Sequence, residues 1–153
     1  MELAVDEFII DWHLSDDDLK KQTAESIVRL VKKKCHRIVF DIEYLNKFRE
    51  KLCKIKRTRE KDTYVLQVLI KRIFILMTDN AKVRICEGPW INELESINDE
   101  VDRLVVRSAL SIQNEKKILI TTDSELIGKL EALKKYGIEG VLPENAENLL
   151  LSL

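Results

Sequence analysis

Five times along the chain, a short apolar run is followed by a longer stretch whose apolar residues recur at helical spacing. This alternation constrains the fold more than any single residue does. Parallel strands need a long crossover between them, and an amphipathic helix in that crossover must bury its apolar stripe against the sheet. The runs at 3–5, 38–40, 83–86, 117–120 and 140–142 therefore predict strands, and the segments between them predict covering helices. The expected fold is α/β: a three-layer α/β/α sandwich on a mostly parallel sheet of four or five strands, formed as a single domain over residues 1–153. A chain of this length can bury one sizeable core.

Local signals place the helix ends. Ser15 reads as an N-cap, with Asp16, Asp17 and Asp18 in a first turn where the helix dipole favours negative charge. Ala24, Ile27, Val28 and Val31 give that helix its apolar face, and Lys32, Lys33 and Lys34 close it. Tyr44, Leu45, Phe48 and Leu52 mark a second helix, and residues 64–77 a third. Ser96, with Asp99 three residues on, reads as a capping box ahead of a helix lined by Val101, Val105, Ser108, Ala109 and Ile112. Leu126, Leu130 and Leu133 mark a further helix ending at Tyr136-Gly137, and Pro143 opens the last.

Several function classes fall away. Neither GxxxxGK nor GxGxxG occurs, which argues against a P-loop NTPase and a dinucleotide enzyme. The formal net charge of −1 gives no bulk attraction to nucleic acid or to a membrane. The three cysteines, Cys35, Cys53 and Cys86, are too widely spaced for a zinc site and read as reduced structural thiols. The longest apolar stretch, 65–77, is interrupted by Gln67, Lys71 and Arg72, so no membrane span is expected. The acidic start of the chain lacks a signal-peptide pattern, and a cytoplasmic location is expected.

What remains is a pattern of acids. In open parallel sheets the working site lies at the carboxyl ends of the strands, where strand order reverses. Asp6 ends the first strand and Asp123 the fourth; if the order reverses beside strand one, the two are neighbours. Glu43 opens the helix after strand two, and Asp102 lies early in the helix before strand four, on a face shared with Val106 and Ala109. Acids at helix starts also serve the dipole alone, so the argument rests on the four together. Carboxylates gathered at one point repel unless a cation lies between them, and Mg²⁺ or Mn²⁺ suits an all-oxygen set.

In these residues the chain resembles the PIN domain family of metal-dependent ribonucleases. Asp6 matches the family's first acid in Leu3-Ala4-Val5-Asp6, and Glu43 its second in IVFDIEYLNKFREKL. Asp102 matches the third in DRLVVRSAL, with Ala109 seven residues on, and Asp123 the fourth in ILITTDSEL, with Thr121 two residues before it. The resemblance covers nearly the whole chain and is most specific from Asp99 to Leu126. It implies RNA phosphodiester hydrolysis by a metal-activated water, with Asp6, Glu43, Asp102 and Asp123 holding one or two Mg²⁺ or Mn²⁺ ions and Thr121 orienting a ligand or the metal's waters. The chain departs from the family at Phe8, where a small polar residue is usual; Asp11 is an alternative first acid. A member that binds RNA or a protein without cutting is the alternative that this departure implies. A receiver-like or phosphatase-like fold also places aspartates at strand ends, but Asp6-Glu7-Phe8 is not the DxD that a phosphatase-like fold usually needs.

Two further stretches bear on partners. Residues 47–61 are dense in Lys and Arg, and Lys47, Arg49, Lys54, Lys56 and Arg57 are candidate RNA phosphate contacts beside the Glu43 helix. Residues 64–77 are apolar beyond one helix face, which implies burial on two sides or a subunit interface. Small PIN domains commonly dimerise and some bind an inhibitory antitoxin, so a homodimer and an antitoxin-type partner are expected from the resemblance. Trp12 and Trp90 read as core or rim packing, and His13 and His36 as core or surface residues outside the chemistry.

Overall fold

All five strands run parallel, in the order β3-β2-β1-β4-β5. A computed structural model describes residues 1–58, 68, 71–73 and 77–152, with the side chains of 56–58 outside the description. The elements are β1 (Glu2–Val5), α1 (Phe8–His13), α2 (Asp18–Lys33), β2 (Arg37–Asp41), α3 (Ile42–Thr58), β3 (Val83–Cys86), α4 (Glu100–Leu110), β4 (Lys117–Ile120), α5 (Ser124–Leu130), β5 (Ile138–Val141) and α6 (Pro143–Ser152). Short 3₁₀ turns cover Asn92–Ser96 and Glu131–Tyr136. The α/β/α expectation is met, and the sheet is parallel throughout.

Strand β1 sits centrally and is buried along its whole length, as a strand covered on both faces must be. Helix α2 packs against both α1 and α6, while α3 and α4 pack together and α4 lies against β1, β2 and β4. Where β2 passes into α3, Phe40 stacks on Tyr44 with ring centroids 5.7 Å apart and meets Phe48 edge-on at 5.4 Å. Gly137 adopts φ +80, and a Cβ there would lie 2.2 Å from the Glu115 carbonyl, so the glycine is required to turn the chain into β5.

One helix was not expected, and local expectations fail in three further places. The residues after Asp6 form a helix, α1, whose Phe8, Ile9 and Ile10 are buried. The cap of α2 is Asp17, whose carboxylate accepts from the Leu19 and Lys20 amides, while Ser15 accepts from the Asp17 amide. The cap of α4 is Asp99 rather than Ser96, which ends a 3₁₀ turn and donates to the Glu93 carbonyl. Cys35 and Cys53 are exposed and Cys86 is half-buried, so the thiols are not core residues. Most of 64–77 lies outside the described residues; within it, 71–73 and 77 are helical and Ile73 is buried.

His13 and His36 are buried. One nitrogen of each ring meets a backbone carbonyl, that of Ile9 at 2.7 Å and of Leu150 at 3.0 Å. Burial pushes both imidazoles below their ordinary pKa. Among the described residues, no helix is long and apolar enough to cross a membrane.

The amino rim of the sheet is closed by one carboxylate. Glu2 accepts from Arg84 twice, at 2.8 Å each, from Arg37 at 2.7 Å and from the Gln113 amide at 3.1 Å, tying β1 to β2, β3 and the end of α4. Burial alone would raise its pKa, but the arginines and the amide outweigh it and hold Glu2 at about 2. A carboxyl lowered in the folded state stabilises above its unfolded pKa of 4.5, and this contribution is lost as pH falls toward 2. The displacement corresponds to about 3 kcal/mol at neutral pH. Glu2→Gln is expected to weaken the fold by an amount of that order at pH 7, with the gap to wild type narrowing between pH 5 and 3. Urea titrations across that range check it; a gap independent of pH would refute the charge account.

Candidate metal centre

Strand order reverses at β1, between β2 and β4, and this places Asp6 beside the end of β4. The Asp6 amide donates to the Ile120 carbonyl at 2.9 Å. Its carboxylate accepts from the Glu7 amide at 2.6 Å and from the Thr121 hydroxyl at 2.7 Å. Thr121, fully buried, also accepts from the Asp123 amide at 3.1 Å. One hydroxyl therefore joins the ends of β1 and β4. Asp123 caps α5, with one oxygen engaged by the Glu125 and Leu126 amides at 2.8 and 3.0 Å. Asp6 is 8% exposed, and burial raises its pKa despite these donors.

These acids face an open cleft of about 540 Å³ lined, among the described residues, by seven carboxylates, those of Asp6, Glu7, Asp11, Asp99, Asp102, Asp123 and Glu125, and by one cation, Lys129. Asp102 is brought there by the first turn of α4, which Asp99 caps through the Val101 and Asp102 amides. Burial first, then the charges of Asp6, Asp99 and Asp123, raise its pKa to about 6, with Lys129 opposing. Lys129 is itself paired with Glu125 at 2.8 Å. At the rim, Lys51 bridges Asp11 at 2.7 Å and Glu7 at 3.2 Å.

Of the expected site residues, Asp6, Asp102 and Asp123 meet in this cleft, and Thr121 supports two of them from behind. Glu43 does not line it; it is exposed and held by Arg107 at 3.2 Å. Phe8 forms part of the wall, but its ring is buried edge-on to Trp12 at 5.2 Å. Asp11 reaches the cleft but is engaged by Lys51. Lys47 lies 3.8 Å from Glu100, at the start of α4, while Arg49 and Lys54 are exposed on α3. The side chains of Lys56 and Arg57 lie outside the described residues.

A buried cluster beside the cleft was not foreseen from the sequence. Arg107, 1% exposed, bonds the Gly88 carbonyl through Nε and Nη2 at 3.1 and 2.7 Å and lies 3.2 Å from Asp41, which is fully buried. Asp41 also accepts from the Gly88 amide at 2.7 Å and the Glu43 amide at 2.9 Å. Tyr44, fully buried one residue on, donates to the Val5 carbonyl at 2.9 Å, which links this cluster to the strand carrying Asp6. The sequence signal was Asp41 itself, an acid at a strand end like Asp6 and Asp123.

The donor set has the chemistry of a hard-cation site: carboxylate oxygens, little neutralising charge, and one acid whose ionisation is resisted by burial and by its neighbours. Among the described residues, no three His, Cys, Asp or Glu side chains stand close enough to share an ion. The chain matches no protein-family model, no curated protein and no solved structure.

Proposed function

We propose that the chain is a PIN-like endoribonuclease dependent on Mg²⁺ or Mn²⁺, toxin-like or RNA-processing. The observation that carries this reading is the pairing of Asp6 and Asp123 through Thr121 at the strand-order reversal, with Asp102 facing the same cleft. In this reading Asp6, Asp102 and Asp123 would hold the cation after drawing closer together than they stand here, and the cation when bound would supply charge neutralisation and an activated water. Asp6 and Asp123 are oriented by their donors, and both amides on the Asp123 carboxylate engage the same oxygen. Arg49 and Lys54, exposed on α3, would meet the flanking phosphates in this reading. RNA is the substrate, and a protein inhibitor and a second copy of the chain are the partners a toxin-like role would bring.

A second reading, an RNA-binding domain that does not cut, is favoured by the engagement of Glu43 with Arg107. One pair of measurements separates the two. The nuclease is expected to bind Mn²⁺ in calorimetry and to cleave single-stranded RNA only when the cation is present. RNA bound but left intact in Mn²⁺ would exclude the nuclease and leave the second reading.

A further inference from the structure

Trp90 is 59% exposed, yet it is not loose. The Arg107 guanidinium carbon lies 4.2 Å from its ring centroid, on one face. That guanidinium is itself fixed by the Gly88 carbonyl and Asp41. The segment beyond is also pinned: Tyr136 donates to Glu93 at 3.1 Å, and Arg103 donates to the Ile97 carbonyl at 3.1 Å. The result is an indole held from beneath at the carboxyl end of the sheet.

Beside the ring lies a groove of about 360 Å³ lined by Trp90, Ile91, Asn92, Leu94, Glu95 and Arg103. Arg103 borders this groove and its neighbour Asp102 borders the acid cleft, so the two hollows flank the first turn of α4. A rigid aromatic face loses little entropy on stacking, an exposed amide such as Asn92 can meet a base edge, and an arginine can meet the adjoining phosphate. Glu95 would disfavour a second phosphate on its own side.

We infer that Trp90 is a stacking platform for one base of a single-stranded nucleic acid whose backbone passes the acid cleft. This rests on the reading of the chain as an RNA-cutting enzyme, but it is tested apart from cleavage. In EDTA, a Trp12→Phe protein, with Trp90 as its one tryptophan, is titrated with a fluorescein-labelled single-stranded RNA, read by tryptophan quenching and by the label's anisotropy. Quenching is expected on binding. Trp90→Ala is expected to weaken binding roughly 5- to 100-fold, and Trp90→Phe, which keeps a flat ring, to restore most of it. Unchanged circular dichroism would show that the alanine variant is folded.

Equal affinity of the alanine variant and wild type would overturn the platform, and cleavage in Mn²⁺ would then leave the nuclease reading standing. Binding with quenching but no cleavage would do the reverse. No binding by wild type would overturn the platform. So would a Trp90→Ala variant that changes the sedimentation of the protein instead of its RNA affinity, since Trp90 would then be a contact between proteins.

Discussion

Arg107→Ala is expected to remove roughly 3–5 kcal/mol of folding stability, a large part of what a domain of this size possesses. The reason is what the substitution leaves behind. Asp41 is fully buried and faces Arg107 at 3.2 Å; without that cation its charge has only amides for company. The Gly88 carbonyl loses both guanidinium bonds at the same time. Chemical denaturation measures the loss. Combining it with Asp41→Asn should cost less than the two single losses added, since the orphaned charge is then gone. A single-variant loss below about 1 kcal/mol would show that the pair is not the anchor described.

Asp102→Asn is expected to move stability and activity in opposite directions. If the chain is the proposed nuclease, cleavage should fall by at least about 100-fold, because the substitution removes one charge from the three acids proposed to hold the cation. Metal-free stability should rise. The carboxyl is raised from 3.8 to about 6 in the folded protein, so wild type loses stability as pH climbs between those values. Asparagine carries no charge to resist. The variant should match wild type below pH 4 and exceed it above pH 6 by on the order of 1–3 kcal/mol, allowing for partial solvent screening. Thermal melts in EDTA from pH 4 to 8 would reveal the divergence. Parallel curves would mean that neither burial nor the charges of Asp6, Asp99 and Asp123 resist the ionisation of Asp102 in solution.

The layered fold was legible because its signal is repeated: each apolar run is a strand, and the reversal at β1 follows once the sheet is parallel and doubly wound. The neighbouring positions of Asp6 and Asp123 came from that logic alone. Helix α1 was missed because six residues carry too few turns for a period to emerge. Ser96 looked like a cap because its side chain suits one, but Asp99 stands nearer the first apolar turn and won the amides. Arg107 was illegible for another reason. An arginine among apolar helix residues reads as a solvated interruption, and its partners, Asp41 and Gly88, are brought to it only by the sheet. Glu43 followed from the same blindness: its spacing was right for the cleft, but nothing in the spacing announced a competing cation.

The Thr121 hydroxyl has a consequence for how the cleft can change shape. Because it gives its proton to Asp6 and receives one from the backbone of Asp123, the two strand ends are coupled at a single atom and can shift only together. They form a fixed jaw. Opposite them, Asp102 rides on one helical turn ahead of Arg107, whose bonds to Gly88 and Asp41 clamp the helix further along. The movable jaw is thus only as long as that turn, and any closing of the three acids on a common guest must be made there.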